Sequence, residues 1–211
     1  MLNVPSNLMD NDDLWALEFD KENLTKAYDL LSNDPVQALP LLEELASRGS
    51  VFAMLYLAYA YQRKRNIDIA KSEKWLRCAC EKGSFDGCCN LGISYYNFGR
   101  YDEAERIFLC DSIKNEGAAM YCLASIYIID PNHMEQFPLA RDLLERAIAI
   151  GHIPSKYGLG ILYMQCRYGL RYFPRGLLLY ISGIFDAIWW TFRDPSSRRL
   201  WGTPKGLVSE A

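Results

Sequence analysis

An all-α solenoid of helix-turn-helix repeats is the fold class this 211-residue sequence predicts, on three observations. Glycines stand at Gly49, Gly83, Gly117 and Gly151, 34 residues apart each time, and a fixed period of that length marks helical repeat arrays. After each one an inner column recurs: Ala53, Leu57, Ala58 and Tyr61; Gly87, Leu91, Gly92 and Tyr95; then Leu159, Gly160 and Tyr163. Before them the helix pattern repeats as Ala38, Leu41 and Leu45, as Ser72, Trp75 and Ala79, and as Ala140, Leu143 and Ala147. Both runs have the three-and-four spacing of a buried helix face. A glycine closing such a run supplies the left-handed residue that ends it.

In chain order, residues 1–22 form an acidic segment, partly disordered or capping, in which Trp15 to Phe19 is expected to dock on the first helix pair. A solenoid needs its end covered. Ser32-Asn33-Asp34-Pro35 reads as a turn between helices near 24–31 and 35–47. In the third unit the column fits as Ala119, Leu123, Ala124 and Tyr127 when counted from Asn115, so Asn115 is expected as the left-handed cap there. The repeat domain runs over 23–183, and 184–211 forms a hydrophobic, then basic, C-terminal cap or tail.

These columns resemble the Sel-one-like repeat (SLR) family, a relative of tetratricopeptide repeats with the pattern A-x-x-x-L-G-x-x-Y and then K-A-x-x-W-Y-x-K-A-A-x-x-G. The match lies in Ala53 to Tyr61, in Lys71-Ser72 with Trp75, and in Asn90-Leu91-Gly92 with Tyr95, across about residues 23–183. The family's G-x-G-V loop is absent, and Phe98 to Ala104 looks more tetratricopeptide-like. The resemblance implies a right-handed superhelix and an adaptor that organises complexes. It implies no enzyme. It also offers one disulfide: CEKGSFDGC, from Cys80 to Cys88, matches the motif that joins adjacent helices in cysteine-rich members.

Seven cysteines are an odd number, and residues 1–22 have neither a basic start nor an apolar run. A cytoplasmic setting with reduced, buried thiols is therefore the expectation, with the Cys80 and Cys88 bond as its alternative. Zinc is not expected: Cys78-x-Cys80 and Cys88-Cys89 lack the spacer of structural sites, and His133 and His152 lie far along the chain. No nucleophile elbow, phosphate-binding glycine loop or H-E-x-x-H occurs, so neither catalytic residues nor a cofactor are assigned.

Half of the residues are hydrophobic, enough for a sizeable core. The net charge of −3 conceals opposite ends: residues 1–50 carry −7 and residues 167–205 carry +5. A pI near 5.5 disfavours nucleic acid. Between Pro174-Arg175 and Arg193, residues 176–192 hold a single charge, Asp186. At 17 residues this is the lower limit of a membrane span, and a central Asp costs about 3 kcal/mol there. Two readings stay open. In one, Gly176, Leu179 and Gly183 pack as a second helix while Phe185, Ile188, Trp189 and Trp190 close the stack. In the other, Phe185, Ile188, Trp189, Trp190 and Phe192 meet a membrane at its inner face or a partner.

A partner-binding row follows from repeat geometry. Positions two before and two after the leucine column project toward the inner curve as Leu55, Tyr59, Cys89, Ile93, Tyr121, Ser125, Tyr157 and Ile161. Gln62, Arg63, Tyr96 and Asn97 lie one turn further on. Such a tyrosine-rich row suits a protein or peptide partner, or else superhelical curvature buries it as ordinary packing. The expected function is a non-enzymatic interaction scaffold, with a membrane-peripheral assembly factor held by 176–192 as the alternative.

Overall fold

A computed structural model describes residues 4–62, 68–110, 113–166 and 168–193. Among them are eleven α-helices and no strand. They are α1 (Asn11–Leu17), α2 (Lys21–Asn33), α3 (Pro35–Ser47), α4 (Val51–Gln62), α5 (Ile69–Glu81), α6 (Phe85–Asn97), α7 (Tyr101–Phe108), α8 (Gly117–Ile129), α9 (Phe137–Ala149), α10 (Ile153–Met164) and α11 (Phe173–Arg193). From α2 onward, α2 pairs with α3, α4 with α5, α8 with α9 and α10 with α11. The expected boundary after residue 183 falls inside α11, which is continuous.

Polar caps start the helices. Asp10, Asp20, Asp34 and Asp68 each accept the backbone N–H three residues on, at 3.0–3.3 Å. Each satisfies a donor that the first turn leaves orphaned. The turns end them with one repeated device: Ser50, Arg100, Ser84 and His152 each donate a backbone N–H to the carbonyl five residues back, at 2.9–3.0 Å. The residue before each donor is a glycine with positive φ: Gly49, Gly99, Gly83 and Gly151. This is the Schellman ending, which needs a left-handed residue at that point.

The third turn departs from expectation. Neither Asn115 nor Gly117 has a positive φ. Gly117 is instead the first residue of α8, and a Cβ there would stand 2.6 Å from the His152 Cβ. Close helix approach, rather than helix termination, requires the glycine at that position.

The chain divides into two compact units, Met1–Ser94 and Tyr95–Ala211. In the first, α4 packs against α1, α2, α3 and α5, so it is buried almost all round, with Leu57, Ala58 and Tyr61 in the core. Met9 pairs its backbone with Gly83 and Phe85 at 2.8 and 3.0 Å. Leu14 is buried, Trp15 stands edge-on to Phe52 at 5.3 Å, and Glu18 accepts the Phe52 N–H at 3.2 Å. Cys80 and Cys88 form a disulfide across the Gly83 turn, with Cα atoms 4.6 Å apart. Of the two expectations for this pair, the bond is the one the geometry accommodates, because the tight turn holds the end of α5 against the start of α6. Cys78, Cys110, Cys122 and Cys166 carry free thiols.

In the second unit α8 packs on α7, α9 and α10, and α11 packs along α10. Leu123, Leu159, Tyr127 and Tyr163 are buried. Gly160 and Gly176 bring the α10 and α11 backbones into contact. A Cβ on Gly176 would stand 2.7 Å from the Gly160 carbonyl oxygen, and one on Gly160 would stand 2.9 Å from that of Gly176.

Candidate functional site

The predicted row separates into core and surface once α4 and α10 are in place. In the first unit Leu55 is 2% exposed. This corrects its assignment as a binding residue: α4 is packed by α1, α2, α3 and α5, and Leu55 falls on a covered side. Tyr59, on the same helix, is 40% exposed. Gln62 is exposed, and its Nε2 donates to Ser72 Oγ at 2.9 Å, tying the end of α4 to α5. Ile93 is half-buried on α6. Arg63 lies outside the described residues.

In the second unit Tyr96 is half-buried beside Tyr101, with ring centroids 6.0 Å apart, and hydrogen-bonds with Ser125. The Ser125 hydroxyl in turn donates to the Tyr121 carbonyl at 2.8 Å. Burial raises the pKa of both Tyr96 and Tyr121, so both hydroxyls stay protonated. Tyr121 also stands 5.8 Å from the His152 ring. Tyr157 is committed elsewhere: its hydroxyl donates to the Gly183 carbonyl at 2.7 Å and its ring meets Tyr180 edge-on, so it fastens α11 to α10. Asn97 is exposed, and Ile161 is 44% exposed. The structure thus joins Tyr96 and Tyr121 through Ser125 and leaves Asn97 and Ile161 on the surface. Such a set offers apolar faces and hydroxyls for recognition.

The C-terminal residues resolve in the opposite sense to a closing cap. Gly176 and Gly183 are buried against α10, and Leu179 is half-buried. Phe185, Ile188, Trp189 and Phe192 are exposed, with Trp189 at 63% and Phe192 at 87%, while Trp190 is half-buried. The expectation that Phe185, Ile188 and Trp189 close the stack is therefore corrected: the small residues face inward and the large ones outward. No described helix is long and apolar enough to cross a membrane.

Two arrangements escaped the sequence reading. Column tyrosines donate to a glutamate on the preceding helix: Tyr61 to Glu43 at 2.8 Å, Tyr127 to Glu105 at 2.9 Å and Tyr163 to Glu145 at 3.1 Å. Burial and then the glutamate push the Tyr61 pKa to about 12. The spacing was visible, because Glu43 and Glu145 lie six residues before Gly49 and Gly151, and Tyr61 and Tyr163 twelve after. Arg77 holds the equivalent place before Gly83.

The other is a buried histidine among acids. His133 Nδ1 lies 2.8 Å from Asp130 Oδ2 and Nε2 lies 3.0 Å from Glu105 Oε2, with Asp102 at 3.7 Å and Tyr127 stacked on the ring. Burial acts to lower its pKa, but the hydrogen bonds to Asp130 and Glu105 outweigh that, and the net direction is up. A ring with a carboxylate at each nitrogen is best served by the doubly protonated form. His152, with only Ser155 Oγ at 2.8 Å from its Nδ1, is pushed down to about 4 by burial. Among the described residues no three His, Cys, Asp or Glu side chains converge as a metal site.

No family model matches the sequence, and no curated protein matches it. Solved structures do. A Sel1 repeat protein from Oxalobacter formigenes superposes with a TM-score of 0.62 at 18% identity, over 90% of this chain and 84% of that one. A protective antigen present in uropathogenic Escherichia coli strains, described as displaying an SLR fold, gives a TM-score of 0.60 at 16% identity over 82% of this chain. This chain spans 39% of that antigen's length. With its paired helices, repeated Schellman turns and buried leucine and tyrosine columns, the chain has the SLR fold, an all-α solenoid of helix-turn-helix repeats.

Proposed function

We propose that the protein is a non-catalytic interaction scaffold whose half-buried tyrosines bind a protein or peptide partner. The observation that carries this reading is the pair Tyr96 and Tyr121, held together through Ser125 beside exposed Asn97 on a repeat fold. Tyrosine ordered in this way presents apolar area at low entropic cost and keeps a hydroxyl for orientation. Within the first unit, Tyr59 and Gln62 are the exposed residues among those the sequence marks for recognition. Repeat arrays of this type supply recognition surfaces more often than chemistry.

The test is Tyr59→Ala combined with Tyr96→Ala. Capture of the native partner from the host, read by mass spectrometry, should fall at least roughly tenfold, as expected when hot-spot aromatics are truncated, while the far-UV circular dichroism holds. Unchanged capture, or loss of helicity, would assign both residues to packing instead. The cytoplasmic expectation and the Cys80–Cys88 disulfide point to different compartments, since glutathione keeps most cytosolic thiols reduced. Alkylating the free thiols of acid-quenched host cells before lysis decides between them: a pair that resists alkylation means an oxidising compartment.

A further inference from the structure

The outward face of α11 is apolar from end to end. Leu177, Leu178, Ile181, Phe185, Trp189 and Phe192 are exposed, and Ile184 and Ile188 lie exposed between them. Leu177 to Phe192 spans about 22 Å of helix at 1.5 Å per residue. The polar side chains of the helix are turned away from this face or satisfied locally. Asp186 is ion-paired with Lys156, Ser182 Oγ donates to the Leu179 carbonyl at 3.0 Å, and Thr191 Oγ1 donates to the Ala187 carbonyl at 2.7 Å.

The rim carries one sign. Arg171 and Arg175 precede the face and Arg193 ends it, while Asp186, the sole acid of residues 168–193, is already paired. The element is therefore net positive in a chain whose overall charge is −3. We propose that α11 lies in the plane of an anionic bilayer, its apolar face among the acyl chains and its terminal arginines on lipid phosphates. An in-plane helix of this kind combines Trp, Phe and Leu on one side with basic residues at headgroup level. Charge also argues against a second copy of the chain as occupant. Two α11 faces laid together bring arginine against arginine in either orientation, because both ends of the face are positive.

Flotation of the purified full-length chain with extruded vesicles tests this. The chain should float with phosphatidylcholine mixed two to one with phosphatidylglycerol, and partition at least roughly tenfold more weakly to phosphatidylcholine alone, given about 1 kcal/mol per arginine near an anionic surface. Phe185→Asp with Trp189→Asp should abolish flotation without altering helicity, since both side chains are exposed. Arg175→Gln and Arg193→Gln should each weaken it about fivefold. A chain that does not float with the mixed vesicles, or an Asp variant that floats as the parent does, overturns the proposal. So does a dimer, seen without vesicles, that the Asp variant converts to monomer. Flotation by the Tyr59→Ala, Tyr96→Ala variant separates this surface from the tyrosine row.

Discussion

The two units solve the same packing problem with different means at their ends. In Met1–Ser94 the first helix, α1, contributes one buried leucine, Leu14, and presents Asp12 and Asp13 to solvent, while Met9 ahead of it pairs its backbone with Gly83 and Phe85. A disulfide fastens the last turn of that unit. In Tyr95–Ala211 the last described helix, α11, buries glycines and leaves its large side chains outside, and the unit holds both histidines of the chain and no described disulfide. The lesson is that a helix can be seated by large side chains, as α1 is by Leu14 and Trp15, or by glycines, as α11 is by Gly176 and Gly183. Seating and display are then separable on α11, because the residues that seat it are not the ones it exposes.

The sharpest way to break that comparison is at the α10–α11 contact. Gly176→Val places a side chain against the Gly160 carbonyl and should cost about 3 kcal/mol, with α11 released to protease while α1 stays docked. Parent-like melting and protease resistance would mean that the two backbones are not in contact.

Acid should act on the second unit with comparable force. His152 titrates at about 4 when folded against 6.5 when free, so the unfolded chain takes up the proton first. Stability is therefore full above about pH 6.5 and falls by about 3 kcal/mol as the pH drops to 4. Denaturant melts across that range should show the loss, and His152→Gln should flatten it. His133 has the opposite sign: its pKa is raised, so its contribution is present below 6.5 and is lost as the pH rises through the folded value. A parent-like rise in stability in His133→Gln as the pH falls toward 6.5, above the window in which His152 acts, would contradict that role.

Reduction should act on the first unit. Closing an eight-residue separation stabilises by about 2.5 kcal/mol in the loop-entropy account. Cys80→Ser with Cys88→Ser should lower stability by that amount and make it insensitive to dithiothreitol. The smallest effect is expected on the open face, where Phe185→Ser should change stability by less than about 0.5 kcal/mol.

Periodicity made the core legible. Leu57, Leu91, Leu123 and Leu159, with Tyr61, Tyr95, Tyr127 and Tyr163, are all buried as their columns require. Four glycine turns follow one hydrogen-bonding rule, which a single sequence can reveal because glycine alone fits the conformation without strain. The candidate site was less legible. Leu55 and Tyr59 sit one helical turn apart on α4, yet one is core and one is surface, a difference set by the helices packed around α4 rather than by spacing along it. Tyr157 looked like a recognition residue because its carbonyl partner on Gly183 belongs to a later helix. His133 gathers acids from α7 and from the end of α8, a convergence that no local spacing encodes.

Hydroxyl-radical footprinting of the full-length chain, read residue by residue by mass spectrometry, tests the central contrast most directly. Phe185, Trp189 and Phe192 should oxidise at the rates of free side chains, while Leu57, Leu159 and Tyr163 remain protected. Protection of the α11 face equal to that of the columns would contradict the account, because the large side chains of α11 would then be covered.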